Sequence, residues 1–160
     1  MNAKFIQSAI QKYLYDRSNI YQVCNFARCG YYEADILALT PAMICTEVEI
    51  KISVSDFKAD FKKKHKHYRM QNHSENVNWK TPNRFFYACP KGMLNVSHEI
   101  PNYAGLLWVN ERGVVELVKQ APVLHKNKAT DKLIIGMLNQ LTQKSIYGGI
   151  CRMTYLNKQK

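Results

Sequence analysis

The sequence predicts an α/β domain in which helices flank a mixed β-sheet. The chain has 160 residues, a length that suits a single domain spanning 1–160 and that buries a sizeable core. Apolar residues recur at helical spacing near both ends of the chain, whereas the middle contains apolar runs rich in strand-forming residues. The predicted element order is α-β-β-β-α-β, followed by a β-hairpin and a C-terminal helix.

A helix is predicted over residues 2–15, because apolar pairs recur there every four residues. The pairs are Phe5/Ile6, Ala9/Ile10 and Tyr13/Leu14. Three strands are predicted to follow, at 20–27, 31–40 and 43–52. The turns between them are short, so an antiparallel meander is their simplest pairing.

A second helix is predicted to begin at Ser53 and to continue to His67 or Tyr68. Ser53 as the N-cap residue, with Asp56 three residues later, approximates a capping box. Asp56 and Asp60 are interpreted as residues of the helix start, where a negative charge suits the helix dipole.

The second half of the chain predicts one more strand, a hairpin and a last helix. Residues 71–83 are polar without a clear period and predict a loop. The apolar run 84–89 predicts a buried strand that lies parallel to its neighbour after the helical crossover. Residues 105–109 and 114–119 predict a hairpin, and 128–143 predict the last helix.

The composition is that of a basic globular chain. The formal net charge is +11 and the isoelectric point is near 9.5, which favours an anionic partner, usually nucleic acid. No apolar run reaches 18 residues, so no membrane span is predicted, and the N-terminus lacks the apolar core of a signal peptide. The five cysteines show no tight framework and fit reduced thiols, so a cytoplasmic location is expected.

Six of the 12 acidic residues lie between positions 33 and 60, although the chain is basic. They are Glu33, Asp35, Glu47, Glu49, Asp56 and Asp60. Because strand side chains alternate, Glu47, Glu49 and Lys51 share one side of the third strand. Glu33 and Asp35 share one side of the second strand, so Asp35 faces Glu49 if the two strands pair. Two facing carboxylates repel each other unless a hard divalent cation lies between them.

This arrangement is typical of a metal-dependent hydrolytic centre. Asp35 and Glu49 would hold Mg²⁺ or Mn²⁺, which polarises a phosphodiester and lowers the pKa of bound water. The backbone carbonyl of Ile50 is another candidate ligand. Glu33 and Glu47 are further candidates, for ligation or for a supporting surface role.

Lys51 reaches the same site, because it lies two residues beyond Glu49 on the same strand face. Its ammonium would stabilise charge developing on the phosphate or orient the attacking water. Lys51→Ala is therefore expected to abolish cleavage with little change in melting temperature. The alternative is a solvent-facing polar side of the sheet, where Glu–Lys pairs across strands contribute at most about 1 kcal/mol.

At these positions the chain resembles the PD-(D/E)XK nuclease superfamily. Asp35 is followed, after thirteen residues, by Glu49-Ile50-Lys51, and the predicted element order is similar to the restriction-endonuclease-like core of that superfamily. Three longer segments resemble the MmcB-like DNA-repair branch. They are EIKISVSDFKADFKK at 49–63, RFFYACP at 84–90 and AGLLWVNERGVVELVKQAP at 104–122.

The resemblance covers roughly residues 30–125 and implies a divalent-metal-dependent DNA nuclease, most simply an endonuclease, in DNA repair, recombination or phage-type DNA processing. The residues in the motif positions are Asp35, Glu49 and Lys51. Many members supply a further acid from the first helix, whereas residues 2–15 contain none, which leaves Gln7 and Gln11 as candidate substitutes. Ala34 precedes Asp35 where the superfamily motif has proline.

The predicted second helix carries a run of cations that would contact the phosphates of duplex or branched DNA. They are Lys58, Lys62, Lys63, Lys64, Lys66 and Arg69. Trp79, in the polar loop that follows, is a candidate for base stacking. Two alternatives stay open: a catalytically weak or inactive nuclease-fold protein that binds DNA, and a nuclease that acts on RNA. A homodimer is also open, because two-fold substrates such as junctions favour one.

Overall fold

The computed structural model describes residues 1–28, 32–72, 81–95, 98 and 100–147. Its centre is one six-stranded sheet with the strand order β1-β2-β3-β4-β5-β6. The strands are β1 (Tyr21–Arg28), β2 (Tyr32–Leu39), β3 (Cys45–Ile50), β4 (Arg84–Pro90), β5 (Ala104–Val109) and β6 (Val115–Lys119). The helices of the described residues are α1 (Ala3–Tyr15), α2 (Val54–Asp60), α3 (Lys64–Gln71) and α4 (Asp131–Ile146). The predicted α/β class, a mixed sheet flanked by helices, is confirmed.

The strand directions also follow the prediction. β1, β2 and β3 form an antiparallel meander, β4 is parallel to β3, and β5 and β6 form the antiparallel hairpin. In addition, β5 is parallel to β4. The three parallel strands therefore end on one side, at Ile50, Pro90 and Val109, which we call the carboxyl end of the sheet. The opposite side, where β3 and β4 begin, is called the amino end.

Helices cover both faces of the sheet. On one face α1 buries Ile6, Ile10 and Leu14, the four-residue stripe that the sequence predicts. On the other face, α2 and α3 pack over β4 and β5, and α4 packs over β1 and β2. The strand residues of the two cores alternate along each strand, as the two-residue period of a strand requires.

The ends of α1 and α4 are set by side-chain caps. Asn2 accepts a hydrogen bond from the N–H of Phe5 at 2.9 Å, and Thr130 caps α4 through the N–H of Leu133 at 3.4 Å. α4 thus begins three residues later than predicted and ends at Ile146, three residues beyond the predicted end. With 16 residues α4 is the longest described helix, and none of the described helices is long and apolar enough to cross a membrane.

The start of α2 is formed as predicted, with one difference. The Ser53 side chain accepts a hydrogen bond from the N–H of Asp56 at 3.1 Å. The Asp56 carboxylate accepts a bond from the N–H of Ile52, at 3.3 Å, where a capping box would bond the N–H of Ser53.

The prediction of one continuous helix from Ser53 to His67 or Tyr68 is wrong, because residues 61–63 separate α2 from α3. The N–H of Lys63 bonds to the carbonyl of Asp60 at 2.9 Å, and the chain turns there. This turn brings α3 back over the last residue of α2. Ion pairs described below stabilise the turn, and the local sequence contains neither glycine nor proline to indicate it.

Candidate active site

The pairing of β2 with β3 brings the two predicted acids together at the carboxyl end of the sheet. Ile36 and Val48 are the last pair of the β2–β3 register, and Asp35 and Glu49 lie just beyond it, near enough for the charge of Glu49 to act on Asp35. The Asp35 carboxylate accepts a hydrogen bond from the N–H of Ile50 at 2.6 Å. A side chain thus takes the place of the next main-chain bond, at the point where the two strands separate.

A kink in β1 lies beside Asp35. Asn25, which faces Asp35 in the β1–β2 register, has a left-handed backbone with φ of 51°. Asparagine is among the few residues that adopt this conformation at low cost. Gln7 of α1 bonds the kink, because its amide donates to the Asp35 carbonyl at 2.9 Å and to the Asn25 side chain at 2.7 Å. Gln140 of α4 donates to the Asn25 carbonyl at 2.6 Å.

Gln7 is therefore the residue of α1 that contacts the main chain of Asp35. Of the two candidates that the sequence offers, Gln7 contacts Asp35, whereas Gln11 contributes its main-chain carbonyl to a bond with Gln22. A neutral amide here supplies an oxygen ligand or a hydrogen-bond donor but no charge.

An open cavity of about 680 Å³ adjoins the half-buried Asp35. The described residues that line it include Lys4, Gln7, Asn25, Asp35, Ile50, Asp56 and Lys144. In a strand, the N–H and C=O of one residue point to the same side. The carbonyl of Ile50 therefore points toward Asp35, as its N–H does, so that two of the three main predicted ligands, Asp35 and the Ile50 carbonyl, lie at this cavity.

The pKa of Asp35 is raised to about 6, mainly by burial and then by the nearby charge of Glu49. The hydrogen bond from Ile50 offsets only part of this effect. A carboxyl whose charge is poorly compensated, at a cavity open to solvent, is a natural ligand for a divalent cation.

The negative charge of Glu49 is neutralised by more cations than the sequence predicts. Its carboxylate is buried, and one oxygen lies 3.0 Å from the ammonium of Lys51 and 3.0 Å from that of Lys63. The other oxygen lies 3.0 Å from Lys66. Three ammonium groups thus surround one of the two predicted metal ligands.

Asp60 is a second buried carboxylate that shares these three lysines. Its oxygens lie 3.2 Å from Lys51, 3.1 Å from Lys63 and 3.0 Å from Lys66. The interpretation of Asp60 as a helix-start residue is therefore wrong, since it is the last residue of α2 and lies in the interior. The missed signal is its spacing from Phe57, which places Asp60 on the buried face of the helix. We call Glu49, Asp60, Lys51, Lys63 and Lys66 the ion cluster.

Aromatic side chains enclose the ion cluster. The hydroxyl of Tyr87 donates to Asp60 at 3.0 Å. The Nε2 of His67 lies 2.9 Å from the Asp60 carbonyl, and its Nδ1 contacts the hydroxyl of Tyr103. Burial lowers the pKa of His67, so the ring is neutral at neutral pH and holds the α2–α3 turn without adding a charge.

Lys51 is a charged group in this arrangement and not a base. Burial alone would lower its pKa, but the carboxylates of Glu49, Asp60 and Asp56 outweigh burial and raise it. Its ammonium thus suits the stabilisation of negative charge on a phosphate. The same burial revises the expectation that Lys51→Ala leaves the melting temperature unchanged, because the variant would leave two buried carboxylates with fewer partners.

The remaining predicted site residues are placed differently. Glu33 is exposed on β2, two residues before Asp35, and Glu47 is completely buried one strand period below Glu49, between Leu37 and Phe85. The described lining of the cavity contains neither of them.

The predicted DNA-contacting residues do not form one basic face. Lys58, Lys62 and Lys64 are exposed and Arg69 is half-buried, whereas Lys66 is buried in the ion cluster. Lys63 is 42% exposed and is bound to Glu49 and Asp60. The candidate stacking residue Trp79 lies outside the described residues.

The donor set fits a divalent cation in part. In the described part of the chain, no three His, Cys, Asp or Glu side chains group closely enough to hold a metal ion. Asp35 and the Ile50 carbonyl lie at an open cavity and fit a cation, whereas Glu49 would first have to release an ammonium group. Lys63 is the most exposed of the three lysines around Glu49, so its ammonium is the one that can move into solvent.

Lys63→Gln is accordingly expected to bind Mn²⁺ about tenfold more tightly than Lys62→Gln, a difference of about 1.4 kcal/mol. Both variants lose one positive charge, but only Lys63 occupies an oxygen of Glu49. Isothermal titration calorimetry of the two variants gives the comparison. Equal Mn²⁺ affinities would show that Lys63 does not compete with the cation.

Asp35→Asn is expected to stabilise the metal-free protein at about pH 8 and to have little effect near pH 4. Because the folded-state pKa is raised from 3.8 to about 6, the folded protein loses stability as the pH rises through this interval. This difference in pKa lowers the free energy of unfolding by at most about 3 kcal/mol above pH 6, and the asparagine variant does not have this loss. Urea unfolding in a chelator at several pH values measures the effect. Equal gains at both ends of the range would contradict it.

Comparison with known proteins bears on the fold alone. No family model and no curated protein matches the chain. The chain is similar to a solved structure described as "SPO1766 protein of unknown function from Silicibacter pomeroyi", with 21% sequence identity and a TM-score of 0.52. The match covers 78% of this chain and 73% of that chain.

Proposed function

We propose that this protein is a divalent-metal-dependent DNA nuclease of the PD-(D/E)XK type, with a restriction-endonuclease-like core and a resemblance to the MmcB-like branch. One observation carries the proposal. Asp35 and Glu49 lie near each other at the carboxyl end of the sheet, with the Lys51 ammonium 3.0 Å from Glu49. The helical crossover between the parallel strands β3 and β4 agrees with the core of that superfamily.

In this proposal Asp35 and the Ile50 carbonyl would hold the cation, and the Glu49 carboxylate would be a third ligand once the Lys63 ammonium is in solvent. When bound, the cation would polarise a phosphoryl oxygen of the substrate and lower the pKa of a bound water molecule. Gln7 holds the Asp35 main chain in place through its 2.9 Å bond. Lys51 keeps its proton and supplies a fixed positive charge near the phosphate, which stabilises the transition state more than the ground state.

The specific rival is a nuclease-fold protein that binds DNA but cleaves it weakly or not at all. Two observations favour it: α1 presents Gln7 where an acid is common, and three lysines already neutralise Glu49. The rival predicts DNA binding that weakens steeply with salt and shows no turnover.

Cleavage assays with different divalent ions distinguish the nuclease from the DNA-binding protein that does not cleave. We expect the pure protein to cleave at least one of linear, supercoiled and branched DNA in Mg²⁺ or Mn²⁺ and none of them in chelator. Matched RNA substrates in the same panel test the RNA alternative, because A-form grooves present a different shape. Salt-sensitive DNA binding without cleavage in either metal would favour the rival.

A further inference from the structure

A second cavity lies beside the one at Asp35, along the carboxyl end of the sheet. This second cavity measures about 970 Å³ and adjoins the ends of β4 and β5. The described residues that line it include Asn2, Phe5, Lys91, Asn110, Glu111 and Arg112. Ile52 lines both cavities, and the first turn of α1 borders both. Together they form a groove, which we call the terminal groove.

The terminal groove has the position and length of a polymer site. In open α/β sheets, ligands bind outside the carboxyl ends of the parallel strands. The described lining runs from Asn25 on β1 to Asn110 beyond β5, a distance of about 19 Å at the usual strand spacing. That length accommodates several phosphates of one extended strand.

Four cations line the terminal groove. Lys4 and Lys144 lie at the first cavity, and Lys91 and Arg112 lie at the second. Lys91 pairs with Glu116 at 2.7 Å, but both side chains are at least half exposed, and such a surface pair contributes at most about 1 kcal/mol. Lys144 donates to the carbonyl of Cys24, a neutral partner that leaves its charge uncompensated.

Carboxylates and exposed apolar side chains are also among the described residues that line the groove. Asp35 and Asp56 lie together at the first cavity, where the proposed chemistry takes place, and Glu111 lies at the far end. Between these ends, Ile52 is 51% exposed and Phe5 is 39% exposed. Exposed apolar side chains between phosphate-binding cations suit unpaired bases, which have free faces to cover.

We propose that an unpaired strand of DNA lies in the terminal groove, with its phosphates on Lys4 and Arg112 and its bases over Phe5 and Ile52. This inference rests on the proposed nuclease function and extends it by assigning the path of the strand. The path runs along the carboxyl end of the sheet, not along α2 and α3. Two of the lysines predicted for α2–α3, Lys63 and Lys66, are bound to Glu49 and Asp60 instead.

The test compares two double variants that remove the same charge from opposite ends of the sheet. Lys4→Gln/Arg112→Gln removes two cations of the groove. Lys12→Gln/Lys126→Gln removes two exposed cations near the amino end. Lys12 lies on α1, about 12 Å from Lys4 along the helix axis at a rise of about 1.5 Å per residue. Fluorescence anisotropy measures the affinity for a labelled DNA strand of about 20 nucleotides as a function of salt concentration. A chelator in the buffer prevents cleavage.

We expect the groove variant to bind the single strand about tenfold more weakly and its salt slope to fall by about 1.4, while the amino-end variant keeps at least half of the wild-type affinity. A duplex of the same sequence should lose less affinity than the single strand. Equal losses in the two variants, or a larger loss for the duplex, would overturn the inference and leave the nuclease proposal standing. Absence of DNA binding by the wild type at low salt would overturn both.

Discussion

Asp60→Asn is expected to lower the free energy of unfolding by about 3–5 kcal/mol, which corresponds to a fall in melting temperature of about 10 °C or more. Asp60 and Glu49 both pair with all three lysines of the ion cluster, and Asp60 alone of the two also accepts a hydrogen bond from the Tyr87 hydroxyl. Asparagine keeps the shape but removes the charge, so Lys51 and Lys66 remain buried with Glu49 as their nearest carboxylate. Chemical denaturation at neutral pH measures the loss.

Asp56→Asn is the matched control, because it removes the same charge one helical turn earlier in α2. Its carboxylate is 42% exposed and lies 3.8 Å from Lys51, so we expect a loss below about 1 kcal/mol. Losses of similar size in the two variants would contradict the role given to Asp60. The pKa of Asp60 is held well below its ordinary value by Lys66 and Lys51, although burial opposes this effect. Its stabilising contribution should therefore be present above about pH 4 and be lost as the pH falls below that value.

Asp35→Asn is expected to reduce metal-dependent DNA cleavage at least about 100-fold while the protein remains folded. The variant removes the carboxylate that we propose as a metal ligand and whose charge is poorly compensated in the folded protein. The asparagine carbonyl still accepts the hydrogen bond that Ile50 donates to Asp35, so the strand ends keep their geometry. Initial cleavage rates and melting temperatures of the variant and the wild type, measured in one buffer, provide the comparison.

A large loss of cleavage at an unchanged or higher melting temperature separates function from folding. Lys51→Ala would not achieve this, because its effects on charge and stability occur together in the ion cluster. Cleavage by Asp35→Asn within about threefold of the wild-type rate would exclude Asp35 from the catalytic centre.

The sequence predicts the main chain of the site well, because strand rules are local. Alternation along β2 and β3, together with short turns, is enough to place Asp35 near Glu49. Gln7 is also found where a candidate from the first helix is expected, since the stripe of apolar residues fixes the orientation of α1. The parallel pairing of β4 with β3 follows from the length of the crossover.

The sequence does not predict the ion cluster, because the cluster depends on the turn between α2 and α3. In a continuous helix, Lys63 and Lys66 would extend along a solvated face, and Asp60 would be one acid among many cations. The turn itself is stabilised by the pairs that it creates, so no local residue indicates it. The left-handed backbone of Asn25 is also not predictable from the sequence, because asparagine permits that conformation without requiring it.

The initial rate of nicking of supercoiled DNA by the wild-type protein, measured against Mn²⁺ concentration, tests the central claim most directly. We expect no nicking in chelator, a rate that rises and saturates with Mn²⁺, and no such rise in Asp35→Asn. A wild-type rate that stays at the chelator level over the whole Mn²⁺ range, or one that Asp35→Asn reproduces, would contradict a metal-dependent nuclease centred on Asp35.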